Sequence, residues 1–143
     1  MRTRLISACA LAALLSACTT AAPKKEAPQT PTSSWQKKWH LTAFSPFKAD
    51  ELRAARATLD LSRAPQVSAY MGCNRLFTNL DSANNQLSFG PVAATRMACS
   101  EHQDLEIAFA QAIGQHSFQY RLQNKQLILQ DAQGRTLSFE AEQ

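Results

Sequence analysis

Cys73 and Cys99 are the side chains with the clearest capacity for chemistry in this sequence. A pair of thiols can form a disulfide, a redox centre or part of a metal site. Redox pairs usually have a Cys-x-x-Cys spacing and structural zinc takes four ligands, and neither pattern surrounds these two residues. We therefore predict a structural disulfide in an oxidising compartment, and a redox or metal pair is the alternative.

Other residue sets that commonly do chemistry do not occur in the sequence. It contains no Gly-x-Ser-x-Gly and no His-Glu-x-x-His, and its four glycines form no phosphate-binding loop. His40, His102 and His116 are too scattered to bind a metal from one element. We predict His40 on the polar side of a strand, His102 solvated in the first turn of a helix, and His116 in a turn. We expect no enzyme activity, no cofactor and no metal.

Residues 1–17 have the organisation of a secretory signal. Two arginines precede an apolar run from Leu5 to Leu15, and these eleven residues are too few for a membrane-spanning helix, which needs about 20. The sequence Leu-Ser-Ala-Cys that ends at Cys18 resembles a bacterial lipobox. This resemblance implies cleavage before Cys18 and lipid (palmitate) on its sulfur, and Thr19 implies the outer membrane, facing the periplasm. A secreted protein with a free Cys18 is the alternative.

Residues 18–34 are predicted to be the lipidated cysteine and a linker. The linker contains Pro23, Pro28 and Pro31 and has no large apolar residue, so burial cannot offset the entropy of ordering it. Residues 35–143 have the length of one small domain.

The charge of the chain is modest once the signal is removed. The full chain has 15 Lys and Arg against 11 Asp and Glu, a net charge of +4. Loss of Arg2 and Arg4 leaves 13 basic residues against 11 acidic ones, a net charge of +2. No basic cluster with interleaved aromatic residues occurs, so we expect no binding to nucleic acid.

Apolar and polar residues alternate with period two through most of residues 35–143, which predicts half-buried strands. Turns at Asn124-Lys125 and from Asp131 to Gly134 predict a three-stranded meander at the C-terminal end. Trp39 is expected in the core and Trp35 on its edge. The residues predicted to share faces are Trp39, Leu41 and Ala43; Ala57, Leu59 and Leu61; Val67, Ala69 and Met71; Leu87 and Phe89; Phe118, Tyr120 and Leu122; Leu127 and Leu129; and Leu137 and Phe139.

One amphipathic helix is predicted after Cys99. Ser100 would be its N-cap, Gln103 would complete a capping box, and Gly114 would end it. A second, short helix is predicted over residues 50–56. The apolar stripe of the main helix would consist of Leu105, Ala108, Phe109, Ala112 and Ile113.

Three residues beside the cysteines have two interpretations each. Gly72 and Asn74 tolerate left-handed backbone, so they predict a tight turn that aims Cys73, and a ligand-contacting loop is the alternative. Arg96 is predicted to pair with Asp104 or Glu106. Binding of an anion at the helix start is the alternative for Arg96.

The spacing of these motifs resembles the META/HslJ family of small bacterial envelope domains. The resemblance covers roughly residues 39–139, with Thr78 and Leu80 where the family often has a glycine and an aromatic residue. It implies what the strand pattern also predicts, a mainly β fold in which a small antiparallel barrel or strongly curved meander packs against one helix. The motif residues that carry it are Gly72, Cys73, Asn74, Thr95, Arg96, Met97 and Cys99, with the segments 106–109, 127–129 and 137–139.

The resemblance implies an association with stress response, including heat shock, and in some members with tolerance of novobiocin. We predict a non-catalytic envelope lipoprotein that is bound to the membrane through Cys18 and whose domain binds a protein or a small apolar ligand. The alternative is a periplasmic inhibitor of a lysozyme-like enzyme, because small disulfide-containing barrel lipoproteins of the periplasm include such inhibitors.

Overall fold

The computed structural model describes residues 33–142. The predicted signal, lipid attachment at Cys18 and most of the linker lie outside these residues. The helices are α1 (Ala49–Ala54) and α2 (Gln103–Ile113). The strands are β1 (Lys38–Phe44), β2 (Thr58–Asp60), β3 (Gln66–Tyr70), β4 (Arg75–Ala83), β5 (Gln86–Phe89), β6 (Ala93–Ala94), β7 (Ser117–Gln123), β8 (Gln126–Gln130) and β9 (Thr136–Ala141).

Eight strands close into an antiparallel barrel, which confirms the predicted fold class. Each strand pairs with the next in the order β1-β2-β3-β4-β5-β7-β8-β9, and β9 pairs with β1. β6 stands outside this ring because it pairs only with β4, with Ala94 opposite Leu76 and Ala93 opposite Phe77. Within residues 33–142, β6 is therefore the one strand with an unpaired edge.

The period-two pattern correctly predicted the inward side chains of most strands. The predicted faces of β2, β3, β5, β8 and β9 are all buried. In β7 the face is buried at Phe118, half-buried at Tyr120 and exposed at Leu122, because that strand runs outward to the barrel rim. No helix among the described residues has the length and apolar character needed to cross a membrane.

The prediction for β1 was wrong in its last inward residue. Trp39 and Leu41 are buried as expected, but Ala43 is exposed and Phe44 is buried instead. The register between β1 and β9 shifts between Leu41 and Ala43, as it does at a β-bulge. A bulge adds one residue to one strand, so every side chain after it changes face.

Two hairpin turns use residues with positive φ. Asn124 and Lys125 have φ of 49° and 65°, which confirms the predicted turn. Asn84 and Asn85 have φ of 52° and 58° and join β4 to β5, a turn that the strand pattern did not show. Positive φ at both central residues matches the twist of two-residue hairpins, and Asn tolerates it well.

α2 closes one end of the barrel. Phe109 is fully buried and meets Phe44 edge to face, with ring centroids 6.0 Å apart. The guanidinium of Arg135 donates to the carbonyl oxygen of Ala112 at 3.2 Å and to the carboxylate of Asp131 at 2.8 Å, so the turn after β8 is attached to the helix. Burial raises the pKa of Asp131, but hydrogen bonds and the charge of Arg135 outweigh it, and the net pKa lies below its ordinary value.

The start of α2 differs from the prediction, whereas its end agrees. The helix begins at Gln103 and His102 is the N-cap residue, with φ of 62° and no side-chain cap. Ser100 is therefore not the cap, because it lies two residues before the N-cap position. Gly114 ends the helix as predicted, and the second helix is present at Ala49–Ala54.

The opposite end of the barrel is covered by Trp35. Its ring packs edge to face on Tyr120 at 6.4 Å, and its carbonyl oxygen accepts a hydrogen bond from Nε1 of Trp39 at 2.9 Å. The described chain therefore enters the barrel at the end away from α2. Trp39 in the core and Trp35 packed against its edge agree with the prediction.

Candidate functional site

The residues of the sequence motif lie together beside the start of α2. The turn between β3 and β4 contains residues 72–74, and the segment that follows β6 contains residues 95–99, which we call the motif segment. A disulfide joins Cys73 to Cys99, whose Cα atoms are 6.1 Å apart. The pairing that the sequence predicted is thus the pairing in the structure, and it ties the turn to the motif segment.

Asn74 connects the turn to α2 through Glu106. The backbone N–H of Asn74 donates to Glu106 Oε2 at 2.7 Å, and Nδ2 donates to Oε1 at 3.0 Å. Both residues are buried, each with 7% of its surface exposed. Hydrogen bonds to a charged carboxylate are among the stronger ones in proteins, so this pair fixes the helix against the turn.

The side-chain oxygen of Asn74 holds the motif segment. Oδ1 accepts hydrogen bonds from Thr95 Oγ1 at 2.9 Å and from the backbone N–H of Met97 at 2.8 Å. Thr95 Oγ1 in turn accepts from the backbone N–H of Arg75 at 3.0 Å. Because Asn74 uses both its carbonyl oxygen and its amide nitrogen within the protein, its role is to build the segment.

Gly72 is required by both backbone angle and space. Its φ is +112°, and a Cβ there would lie 2.6 to 2.8 Å from three side-chain carbons of His102. The structure therefore supports the turn interpretation of Gly72 and Asn74. It also corrects the prediction for His102, which is the half-buried residue before the helix and packs against Gly72 instead of lying solvated in the first turn.

Arg96 does not have the partner that the sequence suggested. Its side chain is exposed and forms no ion pair within residues 33–142. Pairing of Arg96 with Glu106 was a wrong prediction, because the carboxylate of Glu106 is turned inward to Asn74. Arg96 forms no ion pair with Asp104 either. Met97, next to Arg96, has 59% of its surface exposed.

Glu106 is the functional residue of this cluster whose role sequence reasoning missed. It lies beside Leu105 and three residues before Phe109, at the border of the apolar stripe, which was the available signal. A glutamate at such a border is usually solvated. Its buried role becomes visible only when Asn74, 32 residues earlier, is placed next to it.

The remaining polar groups lie apart from this cluster. His40 is exposed on β1 as predicted, with Nε2 3.7 Å from the carboxylate of Glu142, and His116 lies in the turn before β7. In the described part of the chain, no three His, Cys, Asp or Glu side chains are grouped so that they could hold a metal ion. A groove of about 750 Å³ lies between α1 and the strands β1 and β9, away from the motif segment.

The disulfide is expected to contribute substantially to stability. Cys73 and Cys99 are separated by 26 residues, and removing a crosslink of that length with the double substitution Cys73→Ser/Cys99→Ser should lower the free energy of unfolding by about 3.5 kcal/mol. Denaturant unfolding measures this loss. Reductant should destabilise the wild type by a similar amount and leave the double variant unchanged.

Peptide mapping of the unreduced protein provides the chemical check. One fragment should contain both Cys73 and Cys99. Recovery of the two cysteines on separate, alkylated peptides would contradict the crosslink.

The closed barrel, its plugging helix and the adjacent disulfide define a class of small, crosslinked β-barrel domain. The model of the META domain family matches residues 32–143, and the chain therefore belongs to the META domain family. This result confirms the resemblance drawn from Gly72-Cys73-Asn74 and the motif segment.

Two solved structures are similar to this chain. The NMR structure of a protein from Burkholderia xenovorans matches with a TM-score of 0.59 and 28% identity, over 75% of this chain and 82% of that one. A second NMR structure matches with a TM-score of 0.52 and 20% identity, over 74% of this chain and 89% of that one, and shows a shared fold alone. No curated protein matches the chain.

Proposed function

We propose that this chain is a non-catalytic lipoprotein of the bacterial cell envelope whose META domain is an interaction module. Lipid on Cys18 would hold it to the outer membrane, facing the periplasm. The observation that carries the proposal is that three exposed apolar side chains, Phe77, Met97 and Ile107, lie on the segments that adjoin the buried Asn74–Glu106 pair. We call these three residues the apolar patch.

Each residue of the apolar patch lies close in sequence, or is hydrogen-bonded, to Asn74 or Glu106. Met97 and Phe77 have 59% and 46% of their surface exposed, and Ile107 has 47%. Met97 is hydrogen-bonded to Asn74, Phe77 follows Asn74 by three residues on β4, and Ile107 follows Glu106 on α2. Exposed apolar side chains on segments that are joined in this way favour contact with another molecule.

The chain direction fits attachment through the N-terminal region. Ser33 and Trp35 lie at the barrel end opposite α2, whereas Ile107 lies on α2 and Met97 is bonded to Asn74, which binds Glu106 of α2. The sixteen residues 19–34 reach at most about 55 Å. With lipid on Cys18, this linker would tether the domain to the membrane.

The proposed biological role is in stress response or novobiocin-type tolerance, as the family resemblance implied. A strain that lacks the gene should survive novobiocin and heat less well, and the wild-type gene should restore survival. The double variant Phe77→Ser/Met97→Ser should fail to restore it although the domain stays folded, because both side chains are already exposed. Leu122→Ser is the matched control, since Leu122 is exposed on β7 but lies apart from the patch.

Two results would contradict the proposal. Full restoration by the patch variant, at equal protein level, would show that the patch is not used. An unchanged deletion strain would remove the stress role. The inhibitor hypothesis has a direct test of its own, because the purified protein should then lower lysozyme activity.

A further inference from the structure

The barrel leaves one strand edge open beside the apolar patch. β6 pairs with β4 and with no other strand of the described chain. The motif segment continues from β6 to Cys99 without a turn or bend, and residues 93–98 are all exposed. Open strand edges are templates for pairing with another polypeptide, and closed barrels otherwise remove them.

The backbone hydrogen bonds show which groups of this edge are free. The N–H of Thr95 donates to the carbonyl oxygen of Arg75 at 3.0 Å, and the N–H of Met97 donates to Asn74 Oδ1. Along an extended strand, alternate residues bond to the same neighbour, so the N–H and C=O groups of Ala94 and Arg96 point away from β4. These groups form a short row of donors and acceptors that faces solvent.

The side chains around this row favour one kind of occupant. Arg75 and Arg96 are exposed and form no ion pair within residues 33–142, so two positive charges stand unneutralised beside the edge. Phe77 and Met97 supply exposed apolar surface next to them. A strand whose side chains alternate between acidic and apolar would present its carboxylates on the face of Arg96 and its apolar side chains on the face of Phe77 and Met97.

We propose that residues 93–97 bind an extended acidic segment of a partner protein, which adds a strand to β6. The main chain of the segment would bond to Ala94 and Arg96, its apolar side chains would contact Phe77 and Met97 on one face, and its carboxylates would meet Arg96 on the other. This inference rests on the proposed function, that the domain is an interaction module, and names the surface and the chemistry of the partner.

The test uses a fluorescent, capped peptide of about eight residues that alternates Glu with Val or Leu, within the ordinary length of a strand. Its affinity for the full-length protein, purified from the envelope in detergent, is measured by anisotropy. Ala94→Pro should weaken binding about tenfold or more, because proline removes the outward N–H and blocks the edge. Ala94→Val is the matched control and should retain binding, since it keeps the N–H.

Three further comparisons separate strand addition from simple charge attraction. A peptide N-methylated on the amides of one edge should lose binding, and a Lys-for-Glu peptide should bind weakly. Arg75→Glu/Arg96→Glu should reverse the preference between the acidic and basic peptides. If Ala94→Pro unfolds, Arg96→Pro removes the next outward N–H, and Arg96→Ala is the control for the lost charge.

The outcomes discriminate clearly. Equal binding by wild type and by both folded proline variants would overturn the proposal, as would absence of binding to any acidic peptide. Binding only to vesicles of anionic phospholipid would also overturn it and would assign the edge to a lipid surface. If the wild-type protein does not bind the acidic peptides but the Phe77→Ser/Met97→Ser strain still survives less well, strand addition at β6 is rejected. The proposal that the domain is an interaction module is then retained.

Discussion

Replacing Asn74 with alanine is expected to lower the free energy of unfolding by about 5 kcal/mol. The side chain donates to the buried carboxylate of Glu106 and accepts from Thr95 and Met97. Alanine would remove these three hydrogen bonds and a fourth, weaker one from Nδ2 to Cys99 Sγ, and would leave a buried carboxylate with one partner fewer. Unsatisfied buried charge is among the few mechanisms that give so large a loss.

Urea unfolding with tryptophan fluorescence measures this effect. Asn79→Ala is the matched control, because Asn79 lies on β4, five residues after Asn74, with its side chain exposed, and should change stability by about 0.5 kcal/mol or less. A loss below about 2 kcal/mol for Asn74→Ala would mean that the network does not hold the motif segment.

Gly72→Ala is expected to destabilise the protein by about 4 kcal/mol. Two effects combine there. The backbone has φ of +112°, which side chains rarely adopt, and the new Cβ would lie 2.6 Å from Cβ of His102. Since backbone holds both atoms, neither can move away without shifting the turn or the start of α2.

Two comparisons separate the backbone effect from the clash. Gly134→Ala tests backbone alone, because Gly134 has φ of +82° with nothing within 4 Å of the added carbon, and it should lose only about 1 to 2 kcal/mol. In a Gly72→Ala background, His102→Gly should restore most of the stability lost to the clash, because it removes the opposing side chain. Equal losses at Gly72 and Gly134, without recovery, would contradict the packing account.

The sequence predicted the fold class because the alternation of apolar residues is a local property. Buried apolar residues alternate with less buried ones along each strand, because each strand has one buried face. Examples on four different strands are Leu59, Val67, Leu127 and Phe139. The bulge after Leu41 was not predictable in this way. It depends on how β1 pairs with β9, and that pairing is absent from the local pattern.

β4 also escaped the pattern for a physical reason. Its nine residues bury only Leu76 and Leu80, because most of its other side chains lie on the outside of the barrel, where no layer covers them. The strand is therefore mostly polar in sequence. In the structure the turn at Asn84-Asn85 ends the strand.

For the candidate site, the sequence identified the members but not their connections. The disulfide and the turn at Gly72 followed from residue type and spacing. The Asn74–Glu106 pair and the contact of His102 with Gly72 join residues about thirty positions apart, and only the closed barrel brings them together. For the same reason the unpaired backbone edge of the motif segment could not be recognised from its sequence.

Amide hydrogen exchange along the motif segment tests the central claim most directly. That claim is that Asn74 and β4 hold one edge of this segment and leave the other free. NMR exchange on the isotope-labelled protein should show slow exchange for the N–H groups of Thr95 and Met97 and fast exchange for Arg96. Equal exchange at all three residues, or protection of Arg96 in the isolated protein, would contradict the account.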